Sequence, residues 1–385
     1  MSEKTLGLYL HIPFCVRKCA YCDFLSFPAA QETMAAYTEG LIREIRAYGA
    51  RYGGRPVDTV YFGGGTPSLL PPDLLAKIWA AVLGAFRIIP GAEVTAEVNP
   101  GTLPEGAASF AEAIPVTRVS IGLQSDDPEL MEMLGRIHRF PAFLSVYEEF
   151  GRLGITDRNV DLMFGLPGQT LAGIEKTLRH VLELSPSHVS AYSLMVEEGT
   201  PIAKRIAEGG LVLPPEDTER AMYHRLTEML AEAGLRRYEI SNFALPGRES
   251  RHNLRYWRRE EYLGLGLGAA SFADGIRYTN PRDLREYLAY ADDPGTLRRD
   301  IEKIGRREAM EEMMFLGLRT AEGVSDAAFR EAFGCGIVDI YGSLPQRLAK
   351  EGLMICENGR YVLTDRGIDI SNTVLASFLL DRVPA

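Results

Sequence analysis

Two hydrophobic periods alternate along the first 240 residues of the chain. Short β-rich runs at 6–12, 57–62, 93–98, 118–123, 159–164 and 188–194 predict strands. Between them, apolar residues recur at helical spacing over 34–52, 72–86, 105–113, 140–153 and 171–184. Strand followed by helix, repeated in this way, predicts parallel strands joined by right-handed crossovers. The units are too few for a closed eight-stranded barrel. The expected fold class is therefore α/β, a partial (β/α)6 barrel over residues 1–240, with its chemistry at the C-terminal ends of the strands.

The pattern changes near residue 240. Residues 241–300 are rich in Gly, Arg and aromatics and read as a connecting segment of short strands and loops. Residues 301–385 read as helices at 306–318, 325–333 and 337–351, then a hairpin about Glu357-Asn358-Gly359. Asn-Gly between two β-rich runs is a strong hairpin signal. A last helix follows, with Thr364 or Asp365 as its cap. Three helices and a hairpin predict a C-terminal α+β domain that is winged-helix-like.

The length of 385 residues and apolar content of 46% are enough for a sizeable core. A formal net charge of −10 argues against nucleic acid as a partner. Arginines of the C-terminal domain are interleaved with acidic residues, so it carries no basic recognition helix. No apolar run approaches the roughly 18 residues that span a bilayer, and the N-terminus has no secretory pattern. A cytoplasmic location is expected, and peripheral membrane association without a spanning segment stays open. Of five cysteines, three lie within eight residues. Cys335 and Cys356 stand apart and are expected to be buried free thiols.

The three close cysteines carry the sharpest signal: His11-Ile-Pro-Phe-Cys15-Val-Arg-Lys-Cys19-Ala-Tyr-Cys22-Asp-Phe24. Thiolates are soft ligands that suit iron–sulfur clusters or zinc. The C-x3-C-x2-C spacing lets one short loop hold three corners of a cubane, leaving the fourth iron open to a bidentate amino acid. A zinc site completed by His11 or a distant cysteine is the alternative, although zinc ligands usually come as paired C-x2-C or Cys/His units. His11, before Pro13 at a strand end, reads as a positioning residue. Gly63-Gly64-Gly65-Thr66-Pro67 follows the second strand, where glycines let backbone approach a ligand closely. Glu97, Gln124 and Asp161 lie on or at the ends of later strands, and such residues converge on a barrel mouth.

The words LYLHIPFCVRKCAYCDF, YFGGGTPS, AEVNPGTL, RVSIGLQS, LGRIH, NVDLMFGLPGQT and SAYSLMVEEGTP resemble the radical S-adenosylmethionine (SAM) superfamily, in its coproporphyrinogen-dehydrogenase-like branch. The resemblance runs through nearly the whole chain, including EEMMFLGLRTAEGV. It implies a [4Fe–4S] cluster on Cys15, Cys19 and Cys22, with SAM on the open iron. It also implies SAM contacts from Tyr9, Tyr21, Gly64, Gly65, Thr66, Glu97, Gln124, Arg136, Asp161, Met195 and Ala270. Some of these positions match a second SAM in the dehydrogenases.

Two functions share this resemblance. Arg248, Arg251, Arg255, Arg258 and Arg259 crowd around His252-Asn253-Leu254-Arg255-Tyr256-Trp257. The HNxxYW word resembles a feature of HemW-type heme chaperones, which bind heme and deliver it to apoproteins such as respiratory cytochromes. Arginine pairs with propionates, an imidazole can ligate heme iron, and aromatic rings can stack on a macrocycle. His252, Asn253, Arg255, Tyr256 and Trp257 are thus candidate heme contacts, against the plainer reading of a solvated basic loop. The other function is oxygen-independent coproporphyrinogen III dehydrogenase. Its fourth cysteine, two residues after the third, is Phe24 here. Its N-terminal extension also has little room, since fourteen residues before Cys15 span at most about 50 Å. Both points favour the carrier, and whether the protein is an enzyme stays open.

Overall fold

A computed structural model describes residues 4–380. Its centre is a run of parallel strands: β1 (Leu6–Ile12), β2 (Pro56–Gly64), β3 (Arg87–Val98), β4 (Arg118–Gln124), β5 (Asp157–Phe164) and β6 (His188–Ser193). Helices Gln31–Tyr52, Pro72–Ala85, Gly106–Ala113, Phe140–Arg152 and Leu171–Glu183 occupy the crossovers. The expected strand–helix array is present, and the sheet is not closed.

Residues 241–300 do not form a separate connection, because their strands extend this sheet. β7 (Arg236–Glu239) and β8 (Asn242–Ala244) add an antiparallel pair beside β6. β9 (Tyr262–Leu265) pairs parallel to β1, and β10 (Ala270–Ala273), β11 (Ile276–Thr279) and β12 (Arg299–Lys303) follow it antiparallel. The twelve strands run β12-β11-β10-β9-β1-β2-β3-β4-β5-β6-β8-β7. The boundary expected at residue 240 therefore falls inside the sheet.

Alternation along the strands explains why the sheet curls around a polar interior. One face carries Leu6, Leu8, Leu10 and Ile12 on β1, Val119, Ile121 and Leu123 on β4, and Val160 and Leu162 on β5. All of these are fully buried in a core shared with the crossover helices. The opposite face carries Tyr9, Tyr61, Glu97, Ser120, Asn159, Asp161 and His188. These bond to one another across strands: Tyr61 to Glu97 at 2.9 Å, Ser120 to Asp161 at 3.0 Å and Asn159 to His188 at 2.6 Å.

Such an interior needs partners at the N-terminal end of the strands, and the helix Arg251–Trp257 supplies them. Glu93 of β3 accepts from the backbone N–H groups of Arg251 (2.9 Å) and His252 (3.0 Å), so its carboxylate sits at the helix's positive end. His252 engages both ring nitrogens, with Thr59 Oγ1 at 2.9 Å and Tyr256 OH at 2.8 Å, and its ring stacks on Tyr61. Arg255 crosses the barrel floor to Asp58, Thr5 and the Glu261 carbonyl. Gly7 of β1 makes room for it: a Cβ there would lie 2.5 Å from Arg255 Cδ.

This placement corrects the expectation that the segment offers His252 and Arg255 to a tetrapyrrole. Both are buried and already bonded. Two of the neighbouring arginines dock the C-terminal domain: Arg258 pairs with Glu322 (3.0 Å), and Arg259 pairs with Glu312 (2.7 Å), which Arg277 of β11 also reaches (2.8 Å).

That domain has its own core around Met314, Phe329, Ile337, Tyr341 and Phe378. Its first four helices are Arg306–Gly317, Asp326–Phe333, Ile337–Tyr341 and Leu344–Lys350, the last two of these separated where one was expected, and Asp365–Asp369 and Ser371–Ala376 end it. Gly342 and Ser343 make that break. β13 (Val324–Ser325), β14 (Met354–Glu357) and β15 (Arg360–Leu363) form a three-stranded sheet. Thr364 caps the following helix by accepting from Gly367 N at 3.0 Å. Cys335 and Cys356 are free and half-buried rather than interior.

Replacing Arg255 with Met should destabilise the protein by roughly 2–4 kcal/mol, since it removes the buried guanidinium that joins Asp58, Thr5 and the Glu261 carbonyl at the barrel floor. Urea unfolding at pH 7 measures this. A loss under about 0.5 kcal/mol, the scale of an exposed pair, would contradict the role given to Arg255.

Candidate cofactor-binding site

The three cysteines lie on the loop after β1, at the other end of the barrel from the Arg251–Trp257 helix. The loop is pinched at its base, where Cys15 N donates to Phe27 O (3.1 Å) and Phe27 N to Pro13 O (2.9 Å). His11 holds it from below, with Nε2 2.9 Å from Leu25 O and Nδ1 3.0 Å from Tyr9 OH. Both nitrogens are thereby engaged, in keeping with a positioning role. On the far side, Ala20 N donates to Leu134 O, and Ala20 O accepts from Ile202 N, both at 2.9 Å.

The glycines after β2 have a steric reason of their own. A Cβ on Gly64, whose φ is +115°, would lie 2.5 Å from the His11 ring, and one on Gly65 would lie 2.7 Å from Phe14 O. Two side-chain-free residues let β2's end lie flat against the root of the cysteine loop. Thr66, next in line, reaches Cys15 Sγ with its hydroxyl at 3.3 Å. Glu97 accepts from Gly64 N (3.1 Å) as well as Tyr61, tying β3 to the same turn. Burial pushes its carboxyl up to about 7.

Arg136 joins the loop to the strand ends. It donates to Gly122 O at 2.8 Å and to Asn99 Oδ1 at 3.0 Å, and it reaches Cys19 Sγ at 3.7 Å. Tyr21 and Asp161 lie within its electrostatic reach. Burial raises Asp161, opposed by hydrogen bonds from Asn159 and Ser120. Gln124 ends β4 in the left-handed region, φ +71°, beside a register shift that turns the strand end. A non-glycine residue there stores strain, a recurrent feature of ligand sites.

The structure thus brings Tyr9, Tyr21, Gly64, Gly65, Thr66, Glu97, Gln124, Arg136 and Asp161 to one mouth with the three cysteines. Met195, two residues past β6, stands 70% exposed on its rim. Ala270 is exposed at the start of β10, two strands over from β1. Exposed Val16 and Phe24 on the cysteine loop join Met195 and Val196 in making the rim apolar, which strand periodicity did not signal.

This set suits a cubane and SAM. Among the described residues, no three His, Cys, Asp or Glu side chains converge as one metal ion requires, whereas a cubane puts each thiolate on its own iron. Nε of Arg136 is buried without a partner, a donor left over for a ligand. Glu97 and Asp161 oppose it as acceptors, the complement an amino acid's ammonium and carboxylate call for.

Fold and site together define a radical SAM protein. The family model of the radical SAM superfamily matches residues 9–181, and that of the HemN C-terminal domain matches 304–370. A heme chaperone HemW from Lactococcus lactis is 36% identical over 383 residues, covering 100% of both chains. One from Bacillus subtilis is 34% identical over 96% of this chain and 98% of its own. The solved structure described as coproporphyrinogen III oxidase (HemN) from Escherichia coli has the same fold: TM-score 0.85 at 22% identity, over 98% of this chain and 90% of that one. The chain belongs to the HemW family. The family implies the [4Fe–4S] cluster and SAM, and no helix among the described residues is long and apolar enough to cross a membrane.

An open groove of about 510 Å3 lies away from this mouth, between the Arg251–Trp257 helix and the C-terminal domain. Trp257, Phe315, Leu316, Arg319, Leu375 and Leu379 line it, and the Arg319 guanidinium lies over the Trp257 ring at 4.7 Å.

A raised carboxyl favours folding only while it holds its proton. Glu97's contribution is present below pH 4.5 and is lost as pH rises through about 7. Against the parent without cofactor, Glu97→Gln should melt alike at pH 4.5 and gain on the order of 1 kcal/mol by pH 8, a figure discounted for solvent at the open mouth. Scanning calorimetry across that range checks it. A difference independent of pH would contradict the assignment.

Proposed function

We propose that this protein is a heme chaperone: it binds heme and passes it to heme-accepting apoproteins such as respiratory cytochromes. One observation carries the reading, the identity with curated heme chaperones along the whole chain. Phe24, where the resembling dehydrogenases have a fourth cysteine, supports it.

Cys15, Cys19 and Cys22 would hold the cluster, and Arg136, Glu97, Gln124 and Asp161 would orient SAM on it. When bound, the pair supplies one-electron chemistry at the sulfonium. The chain's own part is to fix the loop through His11 and Thr66. Arg136 and Asp161 place opposite charges at the strand ends, and the glycine turn keeps side chains out.

Heme is assigned to the groove at Trp257. Of the HNxxYW residues, His252, Arg255 and Tyr256 build the barrel floor, and Asn253 N donates to the capping Ser250. Trp257 alone among these five lines this groove, which is open to solvent along one side. Phe315, Leu375 and Leu379 suit a flat apolar ring, and Arg319, held over the Trp257 ring, suits a propionate.

Anaerobically reconstituted protein should take up hemin stoichiometrically. Given SAM, reductant and coproporphyrinogen III, it should release neither protoporphyrinogen nor carbon dioxide. Product formation would establish the dehydrogenase reading instead. Trp257→Ala with Arg319→Ala should weaken hemin binding roughly tenfold or more and leave cluster absorption unchanged. His252→Gln should lower the melting temperature without removing uptake from the folded protein. Unchanged hemin affinity in the double variant would move the heme site elsewhere.

A further inference from the structure

Four histidines are buried in the described chain, and three have both ring nitrogens engaged. His11 bonds Tyr9 and Leu25, His188 bonds Asn159 and Tyr238, and His252 bonds Thr59 and Tyr256. The fourth, His138, is 4% exposed and has no protein partner on either nitrogen. The Gly122 carbonyl acts on the ring only electrostatically, and it accepts its hydrogen bond from Arg136 at 2.8 Å. Leaving buried polar atoms unpaired costs stability, so such a residue calls for an explanation.

Its location supplies one. His138 lies two residues beyond Arg136, and both sit beside Gly122 of β4. A Cβ on that glycine would come within 3.1 Å of Arg136 Nη2 and of Gln124 Nε2. The glycine therefore lets a guanidinium, a carboxamide and an imidazole gather at one strand end, next to Cys19. Nε of Arg136 is also buried and unpaired. The unsatisfied groups at this corner are N–H donors or can present one, and the cation among them is Arg136, with the Asp161 carboxyl within its electrostatic reach. Burial and the Arg136 charge pull the imidazole down to about 3, so it is neutral and offers one N–H without a second cation.

We propose that His138 is a carboxylate-binding residue of the SAM pocket, donating one ring N–H to the carboxylate that Arg136 attracts. The proposal rests on the placement of SAM at this mouth and not on the heme reading. The methionyl group of SAM supplies that carboxylate; a tetrapyrrole propionate could supply it only if the tetrapyrrole sat at this mouth and not at Trp257.

The test uses His138→Leu and His138→Gln in full-length protein carrying its cluster under anaerobic conditions, titrated calorimetrically. SAM is compared with decarboxylated SAM, and hemin with hemin dimethyl ester. If the cofactor's carboxylate is the partner, the Leu variant binds SAM roughly five- to tenfold more weakly and decarboxylated SAM as the parent does. The Gln variant, which keeps an N–H, recovers part of the loss. If the propionate is the partner, hemin weakens and its ester does not, with SAM unchanged. Melting of the cofactor-free Leu variant gives a second readout. Removing unpaired nitrogens should leave it no lower than the parent, whereas a structural histidine would lower it. Unchanged affinity for both SAM and hemin, or a lowered melting temperature with unaltered binding, overturns the proposal.

Discussion

A sheet with one apolar and one polar face cannot be closed in the way an apolar barrel is, because every buried polar atom on the inner face needs a partner. This requirement organises the molecule. At the N-terminal end of the strands the chain meets most of it internally, with Arg255 Nε as an exception. Glu93, His252, His188, Arg118 and Arg255 are hydrogen-bonded among strands, the plugging helix and its neighbours. At the C-terminal end the pairing is incomplete. Arg136 Nε and both nitrogens of His138 are left over, while Glu97 and Asp161 are held above their ordinary ionisation range by burial. A buried polar set half satisfied by the chain is costly unless a ligand completes it. The asymmetry thus separates scaffold from site within one layer of residues.

The same asymmetry keeps the mouth apart from the place proposed for heme. The cysteine loop, the glycine turn and Arg136 belong to the mouth. The arginine-rich segment belongs to the opposite end, where its charges dock the C-terminal domain through Glu312 and Glu322. The groove at that junction lies beside Trp257 and Arg319, so heme held there and SAM at the mouth would share the scaffold but not a pocket.

Much of this was legible in the sequence. The strands were placed to within a few residues except β3, which begins at Arg87 ahead of the expected 93, and the cysteine spacing distinguished a cubane loop from the commoner zinc patterns. The hairpin and the Thr364 cap carried their own local signals. The helix Glu216–Glu232 was missed even though Met222, Leu226, Met229 and Leu230 recur at helical spacing, since charged residues fill the rest of it. The inward polar face was also readable in the alternation Thr59-x-Tyr61 and Ser120 against Val119 and Ile121. What no local pattern could show is that His252 and Arg255 point into the barrel floor. A basic, aromatic word reads as a binding surface until the residues it faces, Asp58 and Thr59, are found nearly 200 positions earlier.

The central claim is that three thiolates leave one iron for SAM to occupy at a mouth the chain does not satisfy alone. Electron paramagnetic resonance of the reduced, anaerobically reconstituted cluster tests it most directly. SAM should shift the g-values of the signal, as a change of ligand at one iron requires, and decarboxylated SAM should reproduce the shift only in part. A spectrum identical with and without saturating SAM, or a protein that takes up zinc in place of iron and sulfide, would contradict the account.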